Sequence, residues 1–82
     1  MNIIETKREI HAAYEDAWAV VTKSAEMREG AGFHEWGAGI RARFNNEKAR
    51  YLAEANVSNE DGLKEVRRRA LANAARWGQQ FI

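Results

Sequence analysis

SNEDGLKEVRRRALANAARWGQQF, residues 58–81, decides the fold of this chain. Leu63, Val66, Ala70, Ala74, Trp77 and Phe81 recur at steps of three and four, which gathers them on one face of an α-helix. Ser58, three residues before Asp61, reads as the N-cap, and Glu60 suits the positive helix start. Ala70 and Ala74 form a small middle that lets a neighbouring helix approach closely. Phe81 and Ile82 point to a docked C-terminus.

Two further apolar stripes lie upstream, and the chain has no proline to interrupt any of them. Ile3, Ile10, Tyr14, Ala17 and Val21 share one helix face that Ala13 and Val20 widen, and this segment runs to about Arg28. Thr6 with Glu9 has capping-box spacing, as do Asn2 and Glu5 more weakly, and Gly30 is a C-terminal stop. Gly30–Gly32 reads as a turn. Phe33, Trp36, Ile40, Phe44, Tyr51 and Ala55 make the remaining stripe, with Glu47 projected onto its middle. Either the helix breaks at Asn45–Asn46, or it continues and Arg43 and Arg50 pair with Glu47. Continuity is preferred, because short breaks without Gly or Pro are uncommon.

The expected fold is all-α. Residues 1–82 form a single helical domain, a small antiparallel three-helix bundle with helices at about 3–28, 34–56 and 59–80. The core is thin in large side chains: 15 alanines stand against 12 Ile, Leu or Val residues and 8 aromatics. Small domains in that position often oligomerise, so a homo-oligomer is expected in preference to a monomer.

Composition excludes several function classes. There is no cysteine, hence no disulfide, thiolate metal site or cysteine nucleophile. No apolar run approaches the roughly 18 residues of a membrane span, and the N-terminus lacks a signal-peptide layout, so a cytoplasmic protein without a membrane partner is expected. His11 with Glu15 and His34 beside Glu35 are the histidine pairings that catalysis could use, neither has metal-site spacing, and the carboxylate pairs Glu15–Asp16 and Glu60–Asp61 read as ordinary helix surface and helix start. No enzyme, no metal and no cofactor is expected. No stretch carries a motif that names a family.

Net charge is +1, with residues 1–30 at −2 and residues 57–82 at +2. The strongest charge feature is Lys64, Arg67, Arg68, Arg69 and Arg76, which with Arg41, Arg43 and Arg50 could build a basic surface on helices two and three. Such a surface would bind phosphates; the plainer reading is a solvated face with salt bridges to Glu54, Glu60 and Glu65. Trp18 and His11 lie at the edge of the first apolar face, and Phe33, His34 and Trp36 crowd the glycine-rich turn. These five are the protein-binding candidates, because exposed tryptophans anchor interfaces. The plainer reading packs Trp18 against the third helix and uses Phe33, His34 and Trp36 to plug the open end of the bundle. The expected function is a small protein-binding module, an adaptor, regulator or inhibitor of a larger macromolecule in the style of phage and mobile-element accessory proteins. The alternatives are a nucleic-acid binder using the basic surface, and a structural subunit of a helical homo-oligomer.

Overall fold

A computed structural model describes residues 2–26 and 33–80, with side chains over 2–23 and 37–80. Its elements are α1 (Ile3–Glu26), α2 (Phe33–Asn56) and α3 (Glu60–Gln79). They pack pairwise as the expected small all-α three-helix bundle. Lys7 bonds Asn56 while Glu15 meets Arg41, so α1 and α2 run in opposite directions. Glu9 meets Arg67 while Asn73 meets Tyr14, so α3 runs parallel to α1. The bundle is slender, 46 × 20 × 16 Å. Its radius of gyration is 14.0 Å, against about 12 Å for a compact domain of this length.

The three stripes meet in one core. Ile10, Tyr14, Ala17 and Val21 come from α1, and Leu63, Val66, Ala70, Ala74 and Trp77 come from α3. The second helix contributes Phe44 and Ala55, with Ile40, Tyr51 and Leu52 half-buried around them. Phe44 is the hub. Its ring meets Tyr14, Trp18 and Trp77 edge-on, at centroid distances of 6.1, 5.8 and 4.9 Å. Ala13 and Val20 line a shallow recess of about 270 Å³ between α1 and α3, together with Leu71, Ala75 and Gly78. The Gly30–Gly32 turn, and Phe81 and Ile82, lie outside the described residues.

Of the two capping candidates on α1, Asn2 begins the helix, at the expected residue 3: its Oδ1 accepts from the Ile4 amide at 2.7 Å. Thr6 is fully buried inside α1, and its hydroxyl donates to the Asn2 carbonyl. Asn59, not Ser58, caps α3: its side-chain oxygen accepts from the Gly62 amide at 2.8 Å. Ser58 is engaged elsewhere, its hydroxyl donating to the Glu54 carbonyl at 2.6 Å and closing the end of α2. Asn59→Ala is therefore expected to cost about 1 kcal/mol. A urea titration of Asn59→Ala beside Ser58→Ala checks this, with the asparagine variant the less stable.

The second helix does not break. It passes through Asn45–Asn46, both solvent-exposed, where asparagine weakens a helix by only about 0.7 kcal/mol relative to alanine.

Candidate functional site

The first helix packs extensively on both partners, whereas α2 and α3 meet least. An open groove runs along the α2/α3 seam as two adjoining recesses of about 380 and 290 Å³, with Glu47 and Asn73 lining both. Ile40, Arg43, Arg76, Trp77 and Gln80 complete one end, and Arg50, Tyr51, Glu54 and Arg69 complete the other. The two walls carry the same spacing. Arg43, Glu47 and Arg50 lie four and three residues apart on α2; Arg69, Asn73 and Arg76 repeat this on α3. Such spacing keeps each trio on one helix face. Because the helices are antiparallel, the arginines gather at both ends of the groove, with the glutamate and asparagine between them.

The floor of the groove is polar but paired. Glu47 Oε2 accepts from the Asn73 side-chain amide at 2.9 Å and from the Trp77 indole N–H at 2.8 Å. The Asn73 amide also donates to the Tyr14 hydroxyl at 2.6 Å. Burial pushes the Tyr14 phenol up to about 12, the bond from Asn73 opposes this, and the nearby Glu47 carboxylate reinforces it. Arg43 and Arg50 do not pair with Glu47, contrary to expectation. The Arg43 guanidinium lies over the Trp77 ring, 4.7 Å from its centroid. The α3 donors reach Glu47 from across the seam and replace the intrahelical ion pairs.

The eight basic candidates divide sharply. Arg67 pairs with Glu9 of α1 and Arg68 with Glu65. Arg69 pairs with Glu54 and reaches Glu65 at 3.8 Å. Arg41 faces α1, not the α2/α3 seam, and grips Glu15 through two bonds of 2.8 and 3.2 Å. Lys64 is exposed on α3 outside the groove. Arg43, Arg50 and Arg76 remain, all exposed, all lining the groove, and none in an ion pair among the described residues.

Trp18 is half-buried and packs on α2: Phe44 lies against its ring and the Arg41 guanidinium sits 5.5 Å from its centroid. A helical wheel places Trp18 at the edge of the apolar face and cannot say which neighbour covers that edge. His11 is exposed. Its expected neighbour Glu15 is instead bound by Arg41 and by Lys48 at 3.1 Å. The side chains of Phe33, His34 and Trp36 lie outside the described residues, so the plug and recognition readings of that turn do as well.

The Arg41 bonds hold the Glu15 carboxyl at about 2, well below its ordinary 4.5, with Lys48 assisting. A depressed carboxyl stabilises the fold while ionised. Its contribution is complete above pH 4.5 and is lost as the pH falls toward 2. Both partners are about a third exposed, so solvent screening limits the gain to about 1 kcal/mol. Wild type is expected to exceed Glu15→Gln in stability by that amount at neutral pH. Denaturant titrations across the acid range check that the gap closes toward pH 2.

Among the described residues, no group of three His, Asp or Glu side chains could hold a metal ion. No described helix is long and apolar enough to cross a membrane. Compared with known proteins, the chain matches no family, no curated protein and no solved structure.

Proposed function

We propose that this chain is a non-enzymatic protein-binding module whose working face is the groove between α2 and α3. The observation that carries the reading is the distribution of charge. Arg41, Arg67, Arg68 and Arg69 are held by carboxylates of the chain itself, whereas Arg43, Arg50 and Arg76 stand around one groove without a carboxylate partner among the described residues. Arginine beside an aromatic ring is a composition that interfaces favour, and Arg43 over Trp77 supplies it. Surface area agrees. The accessible surface is 5541 Å², above the roughly 5,000 Å² expected of a compact monomer of this mass. A partner laid along the slender bundle would cover the excess.

This reading moves the binding face away from Trp18 and His11, since Trp18 is already engaged by Phe44 and Arg41. The nucleic-acid alternative is weakened, because four of its eight cations are already paired with carboxylates. Capture from a nuclease-treated lysate tests the proposal. The wild-type chain is expected to retain a stoichiometric protein that the Arg50→Glu/Arg76→Glu chain does not. Capture that disappears with nuclease would favour the nucleic-acid reading instead.

A further inference from the structure

Resting on that reading, we infer that the occupant of the α2/α3 groove is an acidic helical segment of a partner protein, with two carboxylates seven residues apart and no negative charge midway between them. The argument is charge complementarity along the seam. Arg43 and Arg50 are separated by seven residues, which is about 10 Å along a helix axis. Arg76 joins Arg43 at one end of the groove, and Arg50 stands at the other. At that second end Arg69 is already held by Glu54, so Arg50 is the cation left for an incoming acid. Between the ends sits the Glu47 carboxylate, fixed by Asn73 and Trp77. The groove therefore presents positive, negative, positive in sequence. Its complement is negative, neutral or positive, negative.

A helix meets this demand naturally, because residues seven apart return to the same face two turns on. A carboxylate reaching each end forms charge-assisted bonds with a guanidinium fork. Its apolar positions would rest on Ile40, on Tyr51 and on the exposed part of Trp77. A nucleic-acid strand does not fit the same pattern. It carries a phosphate at every nucleotide, so a strand lying in the groove brings negative charge against Glu47. Glu47 thus separates the two kinds of polyanion: it admits spaced carboxylates and rejects a continuous phosphate backbone.

The test uses the full chain, labelled with 15N, and a synthetic helical peptide carrying two glutamates seven residues apart and a glutamine midway. Three other probes accompany it: the same peptide with a glutamate in place of the midway glutamine, a peptide with lysines for the outer glutamates, and a short DNA duplex. The expected result is a saturable shift of the Trp77 indole N–H with the first peptide, at least tenfold weaker binding for the other two peptides, and no saturation with DNA. Arg50→Glu and Arg76→Glu should each weaken the first peptide at least tenfold while leaving the helical fold intact, since neither arginine makes an ion pair or side-chain hydrogen bond among the described residues. Glu47→Gln should restore binding of the peptide with the midway glutamate. Equal binding of all three peptides, or saturation by DNA alone, overturns the inference. The lysate capture separates the two levels of failure. A protein retained equally by wild type and by Arg50→Glu/Arg76→Glu overturns the acidic-helix inference and leaves a binding module with another face. No retained protein, together with no peptide shift, overturns both. A sedimentation run of the chain alone covers the remaining occupant: a dimer abolished by Arg50→Glu/Arg76→Glu would make a second copy the partner and would also overturn the inference.

Discussion

Phe44→Ala is expected to remove about 3–5 kcal/mol of folding free energy, the largest loss expected of a truncation among the described residues. Phe44 is 1% exposed and is the only large side chain that α2 buries fully among the described residues. Its ring sits between Tyr14 and Trp18 of α1 and Trp77 of α3, in edge-on contact with all three. Edge-to-face aromatic pairs add about 0.5–1.5 kcal/mol each beyond the area they bury. Alanine abolishes three such pairs and leaves a void that three rigid rings cannot fill by small shifts. A domain of this length has roughly 4–12 kcal/mol of total stability, so the variant is expected to lose a large fraction of it and to unfold at a much lower urea concentration. Urea titration with near-ultraviolet circular dichroism measures it. A loss below about 1.5 kcal/mol would mean that the helices close over the gap.

The second large effect lies at the seam. Glu47→Ala is expected to cost about 2 kcal/mol, and Glu47→Gln less than about 1 kcal/mol. The carboxylate oxygen Oε2 is the shared acceptor of the Asn73 amide and the Trp77 indole N–H. Alanine leaves both donors facing a partly desolvated groove, whereas glutamine retains a carbonyl oxygen at the same reach. Glu47 is itself half-buried, so water recovers part of the loss and keeps it near the lower end of the range for two orphaned donors. The check is a pair of denaturation curves read with the Trp77 indole N–H resonance. That resonance should move strongly in Glu47→Ala and slightly in Glu47→Gln. Equal costs for the two variants would show that the side chain acts through its bulk rather than through its oxygen.

The helices were legible because each apolar stripe is long and its steps are regular. Ile10, Tyr14, Ala17 and Val21, then Leu63, Val66, Ala70, Ala74 and Trp77, are the buried residues that helical spacing predicts. Caps were less legible. Ser58 and Asn59 are both good capping residues, and the choice between them depends on where α2 stops, which is settled by the Ser58 bond to the Glu54 carbonyl. The groove was least legible. Glu47 looks like an error in an apolar stripe, and local reasoning offered it the arginines on its own helix. Its true partners are 26 and 30 residues away on α3, and no periodicity within one helix encodes such a distance. One signal was present: the matched spacing of Arg43, Glu47, Arg50 and of Arg69, Asn73, Arg76. It gains meaning only once α2 and α3 are known to be antiparallel neighbours. The salt bridges show the same limit. Arg68 with Glu65 is a local helix pair that spacing suggests, whereas Arg67 with Glu9 spans 58 residues.

That last distance bears on how the chain reaches its fold. The parallel pair α1 and α3 is the most extensively packed, and it is also the pair farthest apart in sequence. During synthesis the part of the α1 face that α3 covers therefore waits, exposed, until most of α3 has been made. Closing a loop of this length before the main contacts form places the entropic barrier early. Formation of α1 and α2 alone is incomplete, because the Phe44 ring still lacks its Trp77 neighbour on α3. Folding should accordingly be all-or-none, with one exponential phase and no stable two-helix intermediate.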